Sequence, residues 1–325
     1  MIEKTAITSI NPGQHSAALR RLAGSLAERD VFIARSAASA ADRFLGRAYI
    51  SVRERFQAVT NIGLSHPGPV GALPQRHRAL GQDGLPALSY LAAGDPKGQR
   101  VIFIHGTPGE AADWMPFLLN VPAGQHRLAI DRPGFGESGP GRPVVALSEQ
   151  ARAIAALLNE GEGPAILVGS SYGGPVALRV AADYPEAVSG VLLVGAAADP
   201  EREETHPLQR LAALRAIDRL LPRPLSHSNA ELLALRRELE LLGDGIGQIR
   251  ASVTVLQGVE DTLVPAENAA YIAKRLSGAK RRRVVFVEQA GHFLHILSTS
   301  LVEHVLGQVV ADADCGGRRA ATAFG

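Results

Sequence analysis

The residues best suited to chemistry lie in Gly169-Ser170-Ser171-Tyr172-Gly173, a G-x-S-x-G turn. Ala165 to Val168 before it is a short apolar run that reads as a buried strand. After it, Val176, Ala177, Val180 and Ala181 recur at helical spacing, and Pro185 stops the helix. A serine on so sharp a turn sits in a strained backbone conformation, and the flanking glycines remove Cβ atoms that would collide. The turn lifts the Ser171 hydroxyl above the sheet, where a base and a substrate can reach it. A serine hydroxyl is a poor nucleophile until a base takes its proton and a third group orients that base. Asp261, in Gln257-Gly-Val-Glu-Asp-Thr-Leu-Val-Pro265, and His292, in Ala290-Gly-His-Phe-Leu-His295, are candidates for those roles. Glu260 is a rival acid and His295 a rival base.

These residues need elements that bring them to one place. Apolar runs at 88–92, 101–104, 126–130, 191–194, 253–256 and 284–287 read as strands. Helical periodicity falls between them at 151–158 and 269–276. The alternation predicts an α/β fold with a mostly parallel central sheet flanked by helices. In a parallel sheet the carboxyl ends of the strands share an edge, so the loops carrying Ser171, Asp261 and His292 meet there. Residues 199–249 break the rhythm. Leu208, Leu211, Leu214, Ile217 and Leu221 predict one amphipathic helix ended by Pro222 and Pro224. Ser228 and Glu231 have capping-box spacing ahead of a second. The expected organisation is therefore an N-terminal helical extension at 1–65, a core at 66–198, a helical cap at 199–249, the rest of the core at 250–310 and a disordered tail at 311–325.

With these segments in order, the chain resembles the α/β-hydrolase superfamily in its serine-hydrolase, esterase- and lipase-like branch. The resemblance covers roughly residues 85–310. It rests on His105-Gly-Thr-Pro-Gly109, the Asp131 to Gly139 loop, the Gly169 to Gly173 elbow, and the Asp261 and His292 segments. It implies Ser171 as nucleophile, His292 as general base and then acid, and Asp261 as the carboxylate holding the imidazole. It also implies an oxyanion hole from the backbone N–H groups of Thr107 and Tyr172. Asp261 occupies the acid's place in the pattern Gly-x-x-Asp-x-x-Val-Pro, ahead of Glu260. In this motif His105 fixes the oxyanion loop by hydrogen bonding. Trp114 and Phe293 are the expected substrate-binding side chains, and Ser170 is expected to point into the sheet. Haloalkane dehalogenases and epoxide hydrolases share the His-Gly-x-Pro loop but use an aspartate where Ser171 stands. The implied reaction is hydrolysis of a small or medium apolar carboxylic ester. Amide, lactone, thioester or carbon–carbon substrates, or a non-catalytic ligand-binding role, are the alternatives.

Composition narrows the partners. The chain has 325 residues, 46% hydrophobic and 20% charged, with a formal net charge of +2, which makes no case for nucleic acid. A single cysteine, Cys315, rules out an intramolecular disulfide. The N-terminus lacks the apolar core of a secretory signal, so the expected location is cytoplasmic. Leu19, Leu22, Leu26 and Ile33 with interspersed arginines admit weak contact of the N-terminal segment with a membrane surface. Gly134 to Gly139 matches G-x-G-x-x-G, but Pro140 and Pro143 follow where the dinucleotide fingerprint needs a helix. No metal-ligand spacing occurs. The expected partner is a small-molecule substrate, with no cofactor and no metal. The basic run Lys280 to Arg283 reads as a solvated corner.

Overall fold

The computed structural model describes residues 8–9, 26, 30–35, 73–79, 81, 85–158 and 163–321. The strands are β1 (Thr8–Ser9), β2 (Val31–Arg35), β3 (Gln75–Ala79), β4 (Leu88–Gly94), β5 (Gln99–Ile104), β6 (Gln125–Ile130), β7 (Ala165–Ser170), β8 (Val188–Val194), β9 (Ser252–Gly258) and β10 (Arg281–Glu288). They form one ten-stranded sheet in the order β1-β2-β10-β9-β8-β7-β5-β6-β4-β3. From β2 through β6 in that order every pairing is parallel. β1, β4 and β3 are antiparallel to their neighbours.

The central strands are apolar on both faces because both are covered. Along β5, Ile102 and Ile104 enter one core while Val101 and Phe103 enter the other, the period of two that a pleated strand imposes. The first core is closed by α1 (Leu147–Leu158), α2 (Gly173–Asp183) and α5 (Glu267–Arg275). The second is closed by α6 (Thr299–Ala321), through Val302, Val305 and Val309, and by the short helix Met115–Leu118. Among the described residues no helix is long and apolar enough to cross a membrane.

Between β8 and β9 the chain leaves the sheet as α3 (Pro207–Ala212), the turn of helix Arg215–Asp218, and α4 (Arg223–Gly243). The single helix expected over 208–221 is broken at Leu214, whose ψ of 129° is extended. The expected capping box at Ser228 and Glu231 is not a helix start. α4 begins at Arg223, with Pro222 as its N-cap residue and Pro224 in the first turn, where a missing N–H costs nothing. Ser228 and Glu231 are buried inside that helix.

Two terminal expectations change as well. In place of a purely helical extension, Val31–Arg35 is a strand registered on β10, Val31 opposite Val284, with its apolar side chains in the core. Leu19 and Leu22 of the expected helix lie outside the described residues. At the other end α6 runs past Ala311 to Ala321 instead of giving way to a tail. Asp312 holds it to the sheet by pairing with Arg281 at 2.6 Å and Arg283 at 3.5 Å. Arg282 pairs with Asp30, so the basic run serves the fold.

Backbone meets backbone closely at Gly173, where a Cβ would strike the carbonyl oxygens of Ile104 and His105. Gly173→Ala is expected to destabilise by about 1–3 kcal/mol, as overpacking does. Urea unfolding should show a lower midpoint with an unchanged slope.

Candidate active site

The parallel strands deliver the expected loops to one edge. Ser171 follows β7 with φ of 52°, in the left-handed region that a non-glycine residue rarely occupies. Its N–H donates to Val194 O at 3.0 Å, and its carbonyl accepts from Gly174 N at 3.0 Å, so the turn is pinned on both sides. Gly106 lies against it: a Cβ there would stand 3.6 Å from Ser171 Oγ. Asp261 follows β9. Its Oδ1 accepts from the N–H groups of Leu263 (3.0 Å) and Val264 (2.8 Å), and its Oδ2 lies 2.9 Å from His292 Nδ1. With Oδ2 as acceptor, Nδ1 carries the proton. Gln257 Nε2 also donates to Asp261 Oδ2, at 3.2 Å. Gly195, at φ +54°, leaves room for the pair, since a Cβ there would sit 3.4 Å from both Asp261 Oδ2 and His292 Nδ1.

Ser171 and His292 line one cavity of about 410 Å³ with Thr107, Tyr172, Phe293, Leu232, Leu235 and Val264 among its walls. Glu260 is exposed and His292 is bonded to Asp261, so Asp261 holds the imidazole. His295 lines the same cavity, and burial, then the neighbouring His292, push its pKa down to about 3. It is therefore neutral at pH 7. Ser170 also lines the cavity, with its buried Oγ lacking a hydrogen-bond partner among the described residues, instead of turning away into the sheet. Trp114, expected at the pocket, is no part of its lining. It is fully buried between Phe103, Phe117 and His295, with centroids 5.1, 5.3 and 5.1 Å away, because the short helix after the His105 to Gly109 loop packs inward on the second core. Among the described residues no group of three His, Cys, Asp or Glu side chains could hold a metal ion.

The largest feature absent from the sequence reading is a buried ion pair behind the His105 to Thr107 loop. Arg132, just after β6, and Glu231, in α4, are both fully buried. A guanidinium has five N–H donors, and all five are used. Nε donates to His105 O at 2.9 Å and Nη2 to Gly106 O at 2.8 Å. Nη1 donates to Gln150 Oε1 at 2.9 Å, and both Nη atoms reach Glu231, at 2.5 and 3.0 Å. Glu231 Oε2 also accepts the Thr107 hydroxyl at 2.6 Å, and Oε1 accepts Gln150 Nε2 at 3.0 Å. His105 Nε2 accepts the Arg132 N–H at 2.9 Å and Nδ1 donates to Gly106 O at 2.7 Å, which defines its tautomer and its structural role. Arg132 also stacks 4.7 Å from the rings of both Phe135 and Tyr172. Burial, then the Glu231 carboxylate, push the Tyr172 phenol well above its ordinary value.

Residues 101–302 match the model of the alpha/beta hydrolase family, and the chain belongs to that family. A 2-hydroxy-6-oxo-6-phenylhexa-2,4-dienoate hydrolase of Comamonas testosteroni is 36% identical over 118 residues, 33% of this chain and 39% of that protein. The match thus spans well under two thirds of that relative's length. Among solved structures, the enzyme of the same description from Rhodococcus sp. strain RHA1 superposes with a TM-score of 0.58 at 20% identity, over 73% of this chain and 99% of that one. An esterase from Rhodococcus sp. ECU1013 gives 0.52 at 22% identity, over 72% and 98%. At those identities the superpositions speak for the fold alone.

Two measurements follow from the electrostatics. Glu231→Ala leaves Arg132 buried and unpaired, and should destabilise by about 3–5 kcal/mol in chemical denaturation. Glu203, at the cavity wall, is pushed up from 4.5 to about 7 by burial and then by Asp199. The folded state therefore binds this proton more tightly than the unfolded chain. Its contribution is present below pH 4.5 and is lost as pH rises to about 7. In Glu203→Gln that loss should be missing, so Tm should fall less than in wild type across this window.

Proposed function

We propose that this chain is a serine hydrolase that cleaves a carboxylic ester of a small or medium apolar acyl group through an acyl-enzyme on Ser171. The observation that carries the reading is the Asp261–His292 hydrogen bond of 2.9 Å at the wall of the cavity that holds Ser171 in its left-handed turn. His292 Nε2 takes the Ser171 proton as Oγ attacks the ester carbonyl carbon. The tetrahedral oxyanion is held by the N–H groups of Thr107 and Tyr172. Collapse breaks the carbon–oxygen bond, and His292 returns its proton to the leaving alcohol. Water, deprotonated by His292, then attacks the acyl carbon and frees the acid and Ser171. Asp261 keeps the imidazole in the Nδ1–H tautomer and stabilises the imidazolium.

Similarity to the dienoate hydrolase raises carbon–carbon bond cleavage as a second reading. A dienoate is a carboxylate, and the cavity offers it no cation. Among the described residues lining it there is no Lys or Arg, whereas Asp113, Glu203 and Glu204 are present. Leu232, Leu235, Val264 and Phe293 suit an uncharged acyl chain.

Ser171→Ala should lower kcat on p-nitrophenyl esters by about 10⁴-fold or more, and Asp261→Asn by about 10⁴-fold. Wild-type turnover surviving in Ser171→Ala would exclude Ser171 as nucleophile. In paired substrates, p-nitrophenyl butyrate should exceed the p-nitrophenyl half-ester of succinate by about tenfold in kcat/KM, since a like charge costs about 1.4 kcal/mol near Asp113 and Glu204. Preference for the half-ester would contradict the charge argument.

A further inference from the structure

The cap carries leucines on the wrong side. Between Thr205 and Leu225, Leu208, Leu211, Leu214 and Leu220 are 64%, 49%, 55% and 83% exposed, and Leu225 is 37% exposed. The residues turned partly inward are Gln209, Ala212, Ile217, Asp218, Leu221 and Pro224, two of them polar. Neither α3 nor the turn Arg215–Asp218 has a single buried residue. A helix that merely covered the core would show the reverse pattern. Single exposed leucines are ordinary, but a cluster spaced three residues apart is an interaction surface. Leu263, 58% exposed, and Gln209 line the cavity, so its wall continues into this surface.

The charges on the same segment identify what covers it. Arg210, Arg215 and Arg219 are exposed beside the leucines, and no ion pair holds any of them among the described residues. The acidic group between them, Asp218, is turned inward and accepts the Ser226 hydroxyl at 2.6 Å. Glu203 and Glu204 lie on the cavity side. Leucines flanked by unpaired arginines match an anionic lipid surface, with acyl chains meeting the leucines and headgroups the guanidinium groups. A second copy of the chain fits less well, because a two-fold contact through this face would bring its arginines against themselves. We propose that the leucine and arginine face of residues 205–225 docks on an anionic lipid surface, so that apolar substrate enters the Ser171 cavity from the lipid. This goes beyond the ester-hydrolase reading, and its binding test does not depend on catalysis.

The test is sedimentation of the full-length protein with vesicles of phosphatidylcholine alone and of phosphatidylcholine mixed equally with phosphatidylglycerol. Wild type should pellet with the mixed vesicles and lose affinity as salt is raised. Arg215→Ser/Arg219→Ser should weaken that binding by roughly 25-fold, fivefold per arginine. Leu211→Ser/Leu214→Ser/Leu220→Ser should weaken it by about tenfold or more. All three leucines are exposed, so the variant should keep the wild-type Tm, which verifies its folding. Wild type left in the supernatant with both vesicles would overturn the proposal. So would equal binding of the leucine variant, which would assign the contact to the basic N-terminal segment. Binding insensitive to phosphatidylglycerol would overturn the anionic partner. Self-association lost in the leucine variant, without vesicle binding, would show that a second copy covers the face.

Discussion

The site depends on a charge buried where water cannot reach it. Arg132 lies beneath the loop that presents Thr107, and its guanidinium holds the carbonyl oxygens of His105 and Gly106 from below. A lone guanidinium there would cost several kcal/mol in lost hydration. Glu231 offsets this with a two-pronged contact, and Gln150 satisfies the remaining donor. The partner comes from the cap and the cation from the sheet edge, so the ion pair couples two regions far apart in sequence. A carbonyl held from below turns the next N–H of the same peptide plane the other way. The carbonyl of Gly106 shares its plane with the N–H of Thr107, so Arg132 orients the donor assigned to the oxyanion. A fully satisfied polar network of this kind specifies one geometry, because each alternative leaves a buried group unpaired.

The sheet, and the strand ends that bring Ser171, Asp261 and His292 together, were legible along the chain because they rest on local rules. Short runs of four or five residues separated by helical periodicity can hardly form anything but a parallel sheet with covered faces. Once the strands are parallel, whatever follows them meets at one edge. Asp261 and His292, separated by a strand and a helix, therefore come within hydrogen-bonding distance without further information. The elbow was legible for a similar reason: Gly169 and Gly173 stand where backbone meets backbone, and the sequence displays that constraint directly.

What stayed hidden depends on which face of an element turns inward. Glu231 resembled the glutamate of a capping box because Ser228 precedes it by three residues, a spacing that also puts both on one face of a continuing helix. Pro222 and Pro224 looked like a stop because proline punctuates a helix at either end, and only its position in the first turn tells the two apart. Trp114 follows the His105 to Gly109 loop closely enough to suggest the pocket, yet the short helix after that loop turns the indole into the core. Arg127 was illegible in the same way. It occupies a strand position whose alternation demands an apolar residue, and it is accommodated because Glu303 of α6 and the carbonyl of Phe117 meet its guanidinium.

The two halves of the cap consequently play unlike parts. α4 is tied to the sheet edge through Glu231, through His227 on the carbonyl of Gly134 at 2.8 Å, and through Glu238 on the N–H of Leu147 at 2.9 Å. Displacing it would unpair Arg132 and release the His105 to Thr107 loop, so its place is bound to that of this loop. The stretch before it has no buried residue in either of its helical turns. Free energies of local opening follow buried apolar contact, which places the segment 207–221 at the low-stability end of this fold. The cavity is lined by Gln209 from this segment and by Leu232 and Leu235 from α4, so one wall belongs to the loosely packed half of the cap and another to the firmly tied half.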